Sequence, residues 1–317
     1  VIRFAFLITT FIFHHSLSLA SDEINSRFTL KPQTLLQYIE TLSSDAMHGR
    51  KFASSTSHLA SDFIINELIT YRIQPFKGKY LHRFMHENLF TNKQGANVIG
   101  FIPGYQYSDK YIVLTAHYDH LGTKGNSVYN GADDNASGVA ALLVFGKQIK
   151  ETPLKHNVIL LFTDGEEINL LGAKSFIKEN ESIIDGIKLN INIDMIAGDS
   201  KTKKLHYIYG NFDNFINKKL VTQFTSMKSK KIKVKKGFKQ LGRYSIQDRR
   251  TNWKMASDHG IFAKHNIPYL YYGVGTHKNY HSVSDTYENI NKDFVVAASQ
   301  IIFKHLVFLD NNISITK

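Results

Sequence analysis

Imidazoles and carboxylates recur just past the apolar runs of this chain. His117 and Asp119 follow YIVLTA, Glu166 and Glu167 follow VILLFTDG, Asp194 follows LNINI, His281 follows YLYYGVGTHKNY, and Asp134 stands in NGADDNASG ahead of a helical segment. Open α/β sheets bind ligands beyond the carboxyl ends of their strands, so residues in these positions can meet at one rim. Such a set is a metal site in composition, with more carboxylate than one zinc ion requires. The chain has no cysteine, which leaves nitrogen and oxygen as donors and excludes disulfides.

Spacing suggests roles. His117 and Asp119 are two apart on extended backbone and face the same way, so Asp119 can accept the second ring hydrogen and set the tautomer. Asp134 precedes a turn of small residues and can offer one oxygen to each of two ions, which sets such ions ~3.5 to 4 Å apart. Glu166 and Glu167 are adjacent and project differently: one can bind metal while the other stays free near a metal-held water. Cations offset their repulsion. Taken singly, any of these residues could be a cap or a turn residue. His120, His156, His206, His265 and His277 read as loop or surface histidines. Asp258 reads as a helix start or as support for the site, Asp285 as support for the His281 loop or as a local turn. Tyr280 is either a core tyrosine or a group facing the site. Gly122 and Gly125 make no dinucleotide loop, and no G-x-S-x-G elbow is present.

The elements that must position these groups follow from periodicity. Helical patterns cover 34–42, 56–71, 137–150, 170–179, 256–265 and 293–309, and short apolar runs begin at 97, 111, 158, 189 and 269. Strands separated by helices of this length predict an α/β fold, a mostly parallel, mixed central sheet with helices on both faces. The 317 residues suffice for one large domain, expected over 21–317, with 198–255 as an edge excursion of strand, helix and hairpin. Residues 1–20 carry Arg3, an apolar run from Phe4 to Phe13 and a small-x-small exit at Ser18 to Ala20, the pattern of a signal peptide; the run is short of the ~20 residues a membrane span needs. The expected location is therefore secreted or periplasmic, without stable membrane insertion after cleavage. A net charge of +12 raises nucleic acid as a partner, but much of the excess sits in KSKKIKVKKGFK, 228–239. Its alternation reads as an exposed hairpin strand with a lysine-rich face, a solvated edge or a contact with an acidic envelope surface, and no nucleic-acid partner is expected.

The motifs TAHYDHLG, NGADDNASGVAALL, FTDGEEINLLGAKSF, NIDMIA, SDHGIFAKHNIPYLYY and YHSVSDTYENI resemble, in order, those of the dinuclear-zinc aminopeptidases, the family-28 metallopeptidases that include glutamate carboxypeptidase and glutaminyl cyclase relatives. LSSDAMHGRKFASS resembles the "eGR" segment of bacterial members. The resemblance implies zinc-exopeptidase architecture and two zinc ions, one held by His117, Asp134 and Asp194, the other by Asp134, Glu167 and His281. It implies Glu166 as general base, Asp119 in support, Tyr280 as a possible oxyanion group, and a cis peptide between Asp134 and Asn135. The expected activity is hydrolysis of N-terminal peptide bonds in peptides or small proteins; a glutaminyl cyclase-type acyltransferase and a carboxypeptidase or dipeptidase are the alternatives.

Overall fold

The computed structural model describes residues 30–87, 92–212, 218–238 and 251–313. The leader reading of 1–20 lies outside them, as do 213–217 and 239–250 of the edge excursion. In chain order the elements are α1 (Pro32–Leu42), α2 (His58–Thr70), β1 (Gln74–Pro75), β2 (Leu81–Glu87), β3 (Asn92–Ile102), β4 (Tyr111–His117), β5 (Gly122–Lys124), β6 (Ser127–Tyr129), α3 (Gly138–Glu151), β7 (Asn157–Thr163), α4 (Leu171–Glu179), β8 (Ile187–Ile193), β9 (Lys204–Gly210), α5 (Lys218–Ser226), β10 (Lys233–Lys236), α6 (His259–Lys264), β11 (Tyr269–Gly273) and α7 (Lys292–Asn312). Nine strands form one sheet in the order β1-β3-β7-β4-β8-β11-β9-β10, with β2 paired to β3, and β5 and β6 form a separate hairpin. The pairs β7–β4, β4–β8 and β8–β11 are parallel, while β3 runs antiparallel to β7 and β9 antiparallel to β11. The sheet is mixed, as expected.

Strand periodicity divides the core in two. Ile112, Leu114, Ala116, Val158, Leu160 and Phe162 pack on one face with α1, α2, α3 and α7. Val113, Ile159 and Leu161 turn to the other face and meet α4 and α6 through Phe176, Ile177, Ile261 and Phe262. Among the described residues no helix is long and apolar enough to cross a membrane.

Two features differ from the periodicity reading. β10 does not return on β9 as a hairpin, because it pairs parallel to β9 and is reached through α5, the crossover that a parallel neighbour requires. Alternation alone does not distinguish the two pairings. The strand β2 also escapes the pattern: HRFMHE is polar, and it is an edge strand whose neighbour in the sheet is β3.

Arg50 is wholly buried and, among the described residues, makes no ion pair. Its guanidinium donates to the main-chain oxygens of Tyr118 (2.8 Å), Leu42 (2.6 Å), Asn130 (2.6 Å) and Gly131 (2.9 Å). Burial pushes its pKa down to about 10, so it stays charged at neutral pH, opposed by the negative charges of Asp134, Asp285, Asp119 and Glu167. Arg50→Met takes the guanidinium from these buried carbonyls, with Gly131 keeping its bond from the Ala136 N–H, and is expected to lower stability by ~3 to 5 kcal/mol in denaturant unfolding. His305 on α7 is held at 2.8 Å from the Tyr272 hydroxyl, and burial pushes its imidazole down to about 3. Below pH 6.5 the unfolded chain takes up a proton that the native state does not, so stability falls with pH from there toward 3, by ~1.4 kcal/mol per unit from this residue. His305→Gln is expected to flatten that acid limb, measured as unfolding free energy between pH 7 and 5.

Candidate metal centre

The C-terminal ends of four neighbouring parallel strands deliver the site. β4 ends at His117, β7 leads into Glu166 and Glu167, β8 into Asp194, and β11 into the loop of His281. On β8 the residues Lys188, Asn190 and Asn192 face away from Leu189, Ile191 and Ile193, and Asp194 continues the polar series. Asp134 comes from the turn 132–137 ahead of α3, where the Asp134–Asn135 peptide is cis.

His117 Nε2 lies 3.2 Å from Asp194 Oδ1 and 3.4 Å from Asp134 Oδ1. The other oxygen of Asp134, Oδ2, is 3.3 Å from His281 Nε2, which is 3.2 Å from Glu167 Oε2. One carboxylate thus faces two imidazoles, each of which meets a second carboxylate. Donor atoms of His117, Glu166 and Asp194 all fall within 4.8 Å of one another, and so do those of His120, Asp134 and Glu167.

Two of the positions differ from their reading in the sequence. The Asp119 carboxylate accepts from the backbone N–H groups of Glu166 (3.0 Å) and Glu167 (3.3 Å), and stands 3.7 Å from His117 Nδ1. The backbone carbonyl of Asp119, at 3.1 Å, takes the ring nitrogen instead. His120 is no surface histidine: it is buried, with Nδ1 3.0 Å from Glu167 Oε1. Three residues from His117, it should point away on a straight strand. The chain instead bends after β4, where His120 N donates to the Arg50 carbonyl, and the ring packs against Gly131, whose left-handed backbone leaves no room for a Cβ. His156 and His206 are also buried and His277 is half-buried, bound to Asp310, to the Gly237 carbonyl and to Asp133 respectively, while His265 is exposed as expected.

The remaining residues support the turn or line the mouth. Asp285 accepts from the N–H groups of Asp133 (2.9 Å) and Asp134 (3.0 Å), tying the His281 loop to the turn of Asp134. Asp258 accepts from the Thr163 hydroxyl beneath the site. The Tyr280 ring stacks on His281 and is partly exposed. A cavity of about 720 Å³ opens over the cluster, with Trp253, Tyr271, Met195 and Tyr280 in its walls.

Electrostatics fit a cation-binding role. Burial, with the nearby charges of Asp194 and Glu167, raises Glu166 well above the usual carboxylate range against the pull of His117. Burial also raises Asp194. Asp134 is held well below that range in spite of burial, through His120, His117 and His281. His281 is pushed up to about 10 by Asp134 and Glu167, against its burial. The cluster calls for positive charge, and its nitrogen and oxygen donors suit zinc.

Peptidase family M28 matches residues 97–306. The alkaline phosphatase isozyme conversion protein of Escherichia coli (strain K12) is 27% identical over 167 residues, 48% of this chain and 48% of that protein. The chain spans about half or less of the length of the curated relatives first matched. In fold it is similar to BSAP, a zinc aminopeptidase from Bacillus subtilis, with a TM-score of 0.67, 14% identity, and 88% of this chain and 95% of that one covered. The glutaminyl cyclase of Fimbriiglobus ruber is similar too, with a TM-score of 0.68, 15% identity, and 89% and 96% covered. Because the family match runs from β3 to α7, over more than half of the chain and every residue of the cluster, the chain belongs to Peptidase family M28.

Proposed function

We propose that this chain is an exported metallo-exopeptidase, an aminopeptidase that hydrolyses N-terminal peptide bonds with two zinc ions. The observation that carries the reading is Asp134 set between two imidazole–carboxylate groups, with Glu166 beside them and bonded to neither imidazole. His117, Asp134 and Asp194 would hold one ion, and Asp134, Glu167 and His281 the other. When bound, the ions acidify a water and polarise the scissile carbonyl.

The chain's own residues supply the rest. The raised pKa of Glu166 suits a carboxylate that takes a proton from water and returns it to the leaving amine. Asp119 holds the backbone of both glutamates, so that Glu167 and Glu166 keep their separate directions. His120 donates to Glu167 and fixes that carboxylate's orientation. Trp253 and Tyr271 exclude water from one wall of the cavity and present apolar surface to the substrate. A glutaminyl cyclase-type acyltransferase shares the fold; the completeness of both donor groups favours the hydrolase, and metal stoichiometry separates the two.

Chelation is expected to abolish cleavage of amino-acid anilides and zinc to restore it. Glu166→Gln should reduce turnover by ~10² to 10⁴-fold with zinc content unchanged by elemental analysis, whereas Asp134→Ala should lose metal. Wild-type turnover by Glu166→Gln would end the assignment of the base. His120→Phe should weaken zinc at one of the two sites by ~10- to 100-fold in calorimetric titration.

A further inference from the structure

Charge is distributed very unevenly along this chain. Residues 198–238 contain eleven lysines, no arginine and two aspartates, and so carry nine of the twelve net positive charges. Tertiary structure concentrates them further. β9 and β10 form the end of the sheet, and the turn before β10 packs beside α7 to form a groove of about 370 Å³. Lys228, Lys230 and Lys231 from the turn and Lys304 from the helix surround it, over a floor of Ala297 and Ile301. Among the described residues no Asp or Glu pairs with any of these four lysines.

Protection of a sheet edge accounts for the lysines of β10 itself. It does not account for a turn and a helix converging on one groove off the strand. We propose that this lysine-lined end of the sheet is a docking surface for an anionic lipid bilayer, which holds the protein peripherally at a membrane. Ser229 Oγ accepts from the N–H groups of Lys231 (3.2 Å) and Ile232 (3.3 Å), fixing the arc of the turn and consuming the backbone donors that would cradle a single phosphate. The attraction is therefore diffuse and additive over ammonium groups. Nucleic acid fits less well: the segment lacks the guanidinium forks that grip phosphate pairs, and among the described residues none of the exposed large apolar side chains lies in it to stack on bases.

The position relates to the metal cluster. Lys204 pairs with Lys233 two residues beyond His206, which lies opposite Gly273 at the C-terminal end of β11. The lysine-rich turn thus stands toward the rim that carries the cluster, three strand spacings or ~14 Å from β8. Attachment there keeps the mouth of the site close to the bilayer.

Co-sedimentation of the full chain with phosphatidylcholine vesicles, with and without phosphatidylglycerol, tests this. Binding is expected with phosphatidylglycerol alone and should be reversed by high salt. The combined variant Lys228→Gln, Lys230→Gln, Lys231→Gln, Lys304→Gln should bind more than 100-fold less, at ~5-fold per lysine. A charge-matched variant at Lys93, Lys124, Lys174 and Lys178 should keep most of the binding. Equal loss in both variants, equal binding to pure phosphatidylcholine, or tighter binding of duplex DNA than of the anionic vesicles through the same four lysines would each overturn the proposal. Anilide hydrolysis in solution reports on the metal site separately, so failure of one reading is distinguishable from failure of the other.

Discussion

Four carboxylates, those of Asp134, Glu166, Glu167 and Asp194, share one largely buried space at the end of the sheet, and the surrounding structure answers to that concentration of negative charge. Like charges this close cannot all ionise without compensating positive charge. The compensation takes two forms here, imidazoles directed at the carboxylate oxygens and the buried cation Arg50 behind the turn, and the donor groups left between them could hold a metal ion. The split in behaviour follows from contact. Asp134 and Glu167, which each meet more than one imidazole, are held down, while Glu166, which bonds to none, and Asp194, which meets His117 alone, are raised by burial.

The groups that build the site grip backbone more than side chain. Arg50 binds the carbonyls of 130 and 131, Asp285 the N–H groups of 133 and 134, Asp119 those of 166 and 167, and Asp133 that of Ala197. Each charge-assisted bond fixes a main-chain path whose next side chain is a donor of the cluster or its neighbour. His277 extends this to the far loop by holding Asp133 at 2.8 Å, so the segment before His281 is tied to the same turn that supplies Asp134. Positions on strand ends need precision of this kind, since the strands set where a loop begins and not where it goes.

Much of the fold was legible because its central strands are continuous apolar runs of strand length. The runs at 158 and 189 are buried along their whole length and that at 111 from Ile112 onward, as parallel strands covered on both faces must be, and the ligand-type residues come after them. β2 was not legible, since its buried face is carried by His82 and Phe84, and a histidine in an inward position breaks the apolar alternation that would announce a strand. The pairing direction of β10 was not legible either: alternation describes a strand and says nothing about its neighbour.

Within the site, sequence alone determined which residue types stand at the strand ends, because an imidazole or carboxylate placed after an apolar run is a local fact. His117, Glu166, Glu167 and Asp194 are of this kind. Tertiary structure decided what each one touches. It turned His120 inward through the bend against Arg50 and Gly131, gave the Asp119 carboxylate to two distant backbone amides in place of the neighbouring ring, and brought Lys304 to a turn some seventy residues earlier in the chain. Those outcomes depend on distances between segments that no spacing along the chain encodes, since they are set only when the sheet and its two helical layers close on one another.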